Sequence, residues 1–285
     1  MKVLVLGVTG MLGSAVFRVF EDDAEHQVWG TLRATSSLGR FPASSQPRLL
    51  AGVDVLDADS LAAAFAKVRP DVVINCVGLI KQLADANDPL TALPINAMLP
   101  HRLARLCELG GARLIHVSTD CVFSGRKGSY LETDVSDAED LYGKSKYIGE
   151  LHDLAHVITL RTSIIGHELA SSYALVDWFL AQQGAIKGFT KAVFSGLPTV
   201  ELARVMKDFV LPRAGLHGLY HVAAAPIAKY DLLRLVAAEY GKQVEIRPDD
   251  SLVIDRSLDG SRFQQATGYV APAWPELVRR MHLGR

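Results

Sequence analysis

Cysteine is scarce in this chain, and the three present are badly spaced for the usual roles of the residue. Cys76, Cys107 and Cys121 are an odd number, and their separations suit neither a disulfide framework nor a CxxC zinc pair, so a reducing cytoplasm is the expected home. A surplus of charge is missing as well: 30 basic residues face 31 acidic ones, with no long basic run. That excludes the electrostatic footprint of a nucleic-acid binder or of a protein drawn to an anionic membrane. No stretch reaches the roughly 18 unbroken apolar residues of a membrane span. The opening "MKVLVLGVTGMLGSAVF" has Lys2 ahead of an apolar run, but glycines interrupt it and no small-residue cleavage site follows, so it reads as a buried strand and turn. The histidines are scattered. His152 and His156, or His217 and His221, share a helical spacing without a carboxylate or thiolate companion, and no metal site is expected. The partners left are small molecules and further copies of the chain, a homodimer being the default.

What is present is apolar and regularly spaced. With 285 residues and 49% hydrophobic composition, the chain can bury a large core. The runs "KVLVLG", "HQVWGTL", "PDVVINCVG", "ARLIHVSTD" and "VITLRTS" are short and rich in β-branched residues, and they alternate with longer amphipathic stretches. This alternation predicts a parallel sheet covered on both faces. After about residue 165 the rhythm changes. "VELARVMKDFVL" reads as a helix, "GLYHV" as a short strand, and "PIAKYDLLRLVAAEYG" as a helix begun by Pro226 and stopped by Gly241.

The first strand runs into Gly7, Gly10 and Gly13 at the opening of the first helix. There a pyrophosphate can approach the backbone and rest on the helix N-terminus, which favours an anion. The spacing is GxxGxxG, and its position between strand and helix is the one a dinucleotide turn requires. The expected fold is therefore α/β, a Rossmann-type doubly wound parallel sheet with a smaller C-terminal substrate-binding cap. Residues 1–165 would form the dinucleotide-binding part and 166–285 the cap, with elements near 190–222 returning to the sheet. Thr9, Met11 and Leu12 belong to the glycine turn.

About 20 residues beyond such a turn an NAD-preferring fold offers an acid to the ribose. Here Arg33 stands in that place, either as a cation for the 2′-phosphate of NADPH, with NADH still possible, or as a solvated surface residue. Asp54, with Val55 beside it, reads as the end of a third strand, where it holds an adenine amino group or sits in a plain loop. Cys76, Val77 and Gly78 lie at the carboxyl end of the fourth strand, and Ser118, Thr119 and Asp120 at that of the fifth. This is the edge where ligands bind in such sheets. Tyr142 and Lys146, in "YGKSK", share a helix face at i and i+4. A cation beside a phenol is expected to lower the phenol's pKa and yield an acid that works near neutral pH, with reduction declining as pH rises through that value.

The Gly7, Gly10, Gly13 turn, Ser118-Thr119-Asp120 and Tyr142-x-x-x-Lys146, in this order, resemble the extended short-chain dehydrogenase/reductase superfamily. Within it the chain is most similar to the dTDP-4-dehydrorhamnose reductase family. "STDCVFSG" resembles that family's STDYVFDG, "LRTSIIG" its RTSWVYG, "FSGLPTVELA" its FGSPTxxxDLA and "GLYHVAA" its GxYHxxG. The resemblance implies NADPH-dependent reduction of a nucleotide-linked 4-keto-6-deoxyhexose. Tyr142 would be the proton donor, Lys146 would bond the nicotinamide ribose, and Thr119 would hold the carbonyl oxygen. Asn96 would lie near the cofactor, or else act as a capping or buried polar residue. On the substrate side the resemblance implies Pro198 and Thr199 in the cap and Arg256 and Arg262 for the diphosphate, and Asp120 is placed with them; Lys81, which departs from the family, is expected near the sugar.

The departures lie at the sugar end: Cys121 replaces the family's usual Tyr, and Lys81 and Gln82 add polar groups. Cys121 also occupies the place where 4,6-dehydratases carry a Glu, which argues against dehydration, and Arg33 argues against an epimerase. A non-catalytic, nucleotide-holding regulatory subunit is the alternative from another class.

Overall fold

The computed structural model describes residues 1–79, 87–169 and 174–284; Lys81 and Gln82 lie outside them. Six strands come first in the chain: β1 (Lys2–Leu6), β2 (Gln27–Leu32), β3 (Leu49–Ala51), β4 (Val72–Asn75), β5 (Arg113–Thr119) and β6 (Val157–Thr162). A seventh, Gly218–His221, pairs with β6. All pairings are parallel, and the order across the sheet is Gly218–His221, β6, β5, β4, β1, β2, β3. The sheet is doubly wound, as alternation within β1 explains. Val3 and Val5 enter the core that contains Phe17 and Phe20, whereas Leu4 and Leu6 enter the opposite core with Leu61, Val68 and Leu103. Strands buried on both faces are apolar throughout, which is why the runs were legible as strands.

The helices of this part are α1 (Met11–Glu21), α2 (Ala58–Val68), the short α3 (Pro89–Ala92), α4 (Leu99–Gly110) and α5 (Leu141–Ile148). Between α3 and α4 the chain winds as a π-helix over Leu93–Met98. The third strand ends earlier than the sequence suggests: Asp54 lies three positions beyond Ala51, in a turn where its carboxylate accepts from the Leu56 N–H at 2.9 Å. "VELARVMKDFVL" is split into an α-helix, Thr199–Val205, and a π-helical turn, Met206–Val210. The later helix is Lys229–Tyr240, closed by Gly241 in the left-handed conformation (φ 63°), and Pro226 precedes its start by three residues.

Beyond β6 the chain also builds a three-stranded sheet from Ile227–Ala228, Ala192–Phe194 and Ile254–Asp255, and pairs Ala185–Phe189 with Glu245–Asp249. Among the described residues no helix is long and apolar enough to cross a membrane.

Candidate active site

The glycine turn is built backbone against backbone. Gly7 has φ +81°, and a Cβ there would stand 2.9 Å from Val77 Cγ2; a Cβ on Gly13 would overlap the Gly7 carbonyl oxygen. These contacts require glycine at both positions. Gly10 is the N-cap of α1 and brings no side chain to its orphan N–H groups, whereas Asp57 caps α2 and Asp140 caps α5 through their carboxylates. The α1 terminus is thus left to take an anion from outside, and the turn fits the pyrophosphate of a dinucleotide. Thr9 and Met11 are half-buried and Leu12 is buried. Arg33 is exposed just past β2, Asp54 is exposed, and Val55 is half-buried.

The exits of β4 and β5 converge on α5. Val77 N–H donates to Asn75 Oδ1 at 3.1 Å, which turns the chain outward at Cys76. Asn96 is buried and clamps this exit: its Oδ1 accepts from the Leu79 N–H at 2.9 Å, and its Nδ2 donates to Ser145 Oγ at 3.1 Å. It therefore joins the β4 exit to α5. A Cβ on Gly149 would overlap the Asn96 carbonyl oxygen, and one on Gly143 would overlap that of Cys121. The glycines of α5 let it lie directly on its neighbours.

Tyr142 is half-buried and Lys146 is buried. Lys146 Nζ donates to the Val117 carbonyl at 2.8 Å, and a Cβ on Gly78 would stand 3.9 Å from it. Burial pushes the ammonium down to about 8, against the pull of Glu150 and Cys76. The expected depression of the Tyr142 pKa is reversed. Burial raises it, the neighbouring Cys121, Asp120 and Asp140 add to the rise, and hydrogen bonding with Thr119 opposes it only in part. Sharing a helix face with a cation does not outweigh burial when the cation is turned toward a carbonyl. Cys76 is pushed up to about 12 by burial.

The substrate-side residues divide. Thr119 Oγ1 donates to Asp120 Oδ1 at 3.1 Å and accepts from the Cys121 N–H at 3.1 Å. Burial raises the Asp120 pKa, against the opposing charge of Arg256. Arg256 reaches this loop from the late segment: Nε donates to the Phe123 carbonyl at 2.7 Å, and Nη1 lies 3.8 Å from Cys121 Sγ. The segment is tied down beside it. Ser129 N–H donates to Ser257 Oγ at 2.8 Å, and Tyr130 N–H to the Ser257 carbonyl at 2.8 Å. Arg262 is exposed and lies elsewhere, 4.8 Å above the Tyr220 ring. Pro198 and Thr199 are buried, with Pro198 paired to Ile165 and the Thr199 side chain filling the space beside Gly166. Ser118, placed with the cofactor from sequence, donates its hydroxyl to Glu150 Oε1 at 2.6 Å. Glu150 and its partner Arg161 have no place in the sequence reading, although Tyr142, Lys146 and Glu150 continue one four-residue spacing, and His221, noted there only for its spacing from His217, ends the seventh strand. Among the described residues no group of three His, Cys, Asp or Glu side chains could hold a metal ion.

Comparison with known proteins places this arrangement among relatives. The RmlD substrate binding domain family matches residues 1–281. The chain is 30% identical over 248 residues to "Methionine adenosyltransferase 2 subunit beta" of Danio rerio, covering 83% of this chain and 73% of that protein. Its matches to that subunit from other vertebrates span between 41% and 47% of those proteins. It is 27% identical to "Probable low-salt glycan biosynthesis reductase Agl14" of Haloferax volcanii, over 90% of this chain and 84% of the relative. In fold it is similar to the dTDP-4-dehydrorhamnose reductase of Bacillus anthracis solved with NADP, with TM-score 0.79, 21% identity, and coverage of 99% of this chain and 98% of that one. With a family match along nearly its whole length, this chain belongs to the RmlD substrate binding domain family, within the extended short-chain dehydrogenase/reductase superfamily.

Proposed function

We propose that the protein reduces the ketone of a nucleotide-linked 4-keto-6-deoxyhexose to the alcohol, with NADPH as the reductant. The observation that carries this reading is the meeting of Thr119, Tyr142 and Lys146 at the carboxyl edge of β5, across from the β4 exit. The dinucleotide would supply the hydride. Tyr142 gives its proton to the carbonyl oxygen as hydride reaches the carbonyl carbon, and Thr119 holds that oxygen. A phenol whose pKa is raised keeps its proton at neutral pH, which suits an acid in the direction of reduction. Lys146, still an ammonium below about 8, bonds the ribose. Arg33 receives the 2′-phosphate, and the uncapped α1 terminus the pyrophosphate.

Arg256 belongs at the sugar end in this reading, because its guanidinium lies against Cys121 and Asp120. This reading puts it beside the reacting ring rather than on the diphosphate. A second reading is a subunit that holds a nucleotide without turning it over; the 30% identity to a protein named as the beta subunit of methionine adenosyltransferase 2 favours a subunit role.

The test is NADPH oxidation with a panel of nucleotide-linked 4-keto-6-deoxyhexoses, wild type beside Tyr142→Phe, repeated with NADH. Turnover by wild type is expected, with a loss on the order of 100-fold or more in the variant. Tight NADPH binding with no turnover of any panel member would favour the holding subunit.

A further inference from the structure

The four-residue spacing of Tyr142 and Lys146 continues to Glu150, and the surroundings of that carboxylate are unlike those of a solvated acid. Glu150 is buried. Its Oε1 accepts from Ser118 Oγ at 2.6 Å and Arg161 Nε at 2.9 Å, its Oε2 accepts from Arg161 Nη2 at 2.5 Å, and His152 Nε2 lies 3.4 Å from Oε2. Arg161 is 1% exposed. Its Nη1 donates to His221 Nε2 at 2.9 Å, which leaves the Nδ1–H of His221 to donate to the Tyr130 carbonyl at 3.0 Å.

Stability is a poor reason for such a pair, since an apolar replacement is often as stable as a buried ion pair. Its geometry is more informative. Three consecutive residues of β5 face the segment that carries Tyr142, Lys146 and Glu150: the Val117 carbonyl takes Lys146, the Ser118 hydroxyl bonds Glu150, and the Thr119 side chain lies beside Tyr142. The middle contact is the one fixed at both ends, because the fork of Arg161 on the adjoining strand β6 immobilises the carboxylate.

We infer that Glu150, locked by Arg161, is the positioning residue of this site: it clamps the segment bearing Tyr142 and Lys146 to β5, so that phenol, ammonium and Thr119 hydroxyl stay in one register. The inference rests on the reduction proposed above. The charged and titratable groups around the clamp are Arg161 on β6, His221 on the seventh strand, His152 just past α5, Lys146 on α5, His116 on β5 and Cys76 at the β4 exit. His116 is buried, takes Asn75 Nδ2 at 3.2 Å on its Nδ1, and is held neutral by burial and by Lys146. The Glu150 charge therefore acts on Lys146 as well as holding the backbone.

The test pairs turnover with a direct titration of Lys146 in the ligand-free protein, read from the 13Cε signal of labelled lysine. Glu150→Gln keeps the size and an acceptor for Ser118 but removes the charge and the matched fork. It is expected to lower kcat on the order of 10- to 100-fold with KM changed by no more than about two-fold. The Lys146 titration is expected to move about one pH unit lower. Glu150→Gln/Arg161→Gln, which removes both buried charges, covers the case in which the single variant does not fold, and the same loss of kcat is expected. Either variant, folded and with wild-type kcat, would overturn the inference, as would an unmoved Lys146 titration in folded Glu150→Gln. A wild type that turns over no ketosugar, with Lys146 still responding to Glu150, would count against the reduction and leave the clamp standing.

Discussion

The Lys146 ammonium donates to the main-chain carbonyl of Val117 at 2.8 Å, and burial holds its pKa to about 8. Below that pH Lys146 is charged, and above it the charge proposed to bond the ribose is lost. Tyr142, whose pKa is raised, stays protonated through the same range. Activity should therefore be present below about 8 and fall as pH rises through it. A kcat profile under chemistry-limited conditions tests this, and a rate that stays flat well into the alkaline range would refute it. In Lys146→Met the residual rate should be low and without that limb.

Arg256 should contribute at the reacting end. Arg256→Met is expected to lower kcat/KM for the ketosugar by about 10- to 100-fold, the worth of a hydrogen bond from a charged donor. Inhibition by the free nucleoside diphosphate should stay within about two-fold of wild type, since no reacting ring is present in that ligand. Equal losses for ketosugar and nucleoside diphosphate would put the guanidinium back on the phosphates.

Gly149 ends α5 where the Asn96 carbonyl leaves no room for a Cβ. Gly149→Ala should destabilise the fold by about 1–3 kcal/mol, the usual cost of overpacking. Urea unfolding measures the loss, and an unchanged midpoint would mean that the helix shifts without cost.

Acid should unfold the protein through the cluster around Arg161. Burial and the Arg161 charge hold His221 at about 4, so between the ordinary 6.5 and that value the unfolded chain binds a proton that the folded chain refuses. Stability declines as pH falls through this window. Burial pushes Glu150 up, but bonds from His152, Arg161 and Ser118 prevail and hold it at about 2. Its contribution is present above 4.5 and is lost as pH falls toward 2. Each group is worth on the order of a few kcal/mol. Urea midpoints taken from neutral pH down to about pH 3 should fall across both windows, and His221→Gln should remove the upper one.

The parts legible in the sequence were those governed by local pattern. Strands buried on both faces left apolar runs, the glycine turn was set by close backbone approach, and Tyr142 and Lys146 were four residues apart on one helix. Where neighbours distant in the chain decide, the reading failed. Leu49–Ala51 is too short to mark its own end, and Asp54, which reads from sequence as that end, lies three residues beyond it. The strands beyond β6 that have two or three residues carry no period. Glu150 and Arg161 are 11 positions apart and His221 is 60 beyond Arg161, so only the pairing of β6 with its neighbours brings them together. The direction of the Tyr142 shift was misjudged because a two-residue argument omits desolvation.

The wall formed by Arg256 and Ser257 on the 121–130 loop also bears on how the chain acquires its site. The Ser129–Ser257 bond spans 128 positions and the Arg256–Phe123 bond 133. Contacts of such separation form late, because the entropy of closing the intervening chain must be met before they contribute. During synthesis the Gly7–Gly13 turn and the Tyr142–Lys146 helix emerge well before Ser257, so the proposed cofactor side is made before the segment that completes the proposed sugar side. The two proposed halves of the site are thus separated in the order in which the chain is made.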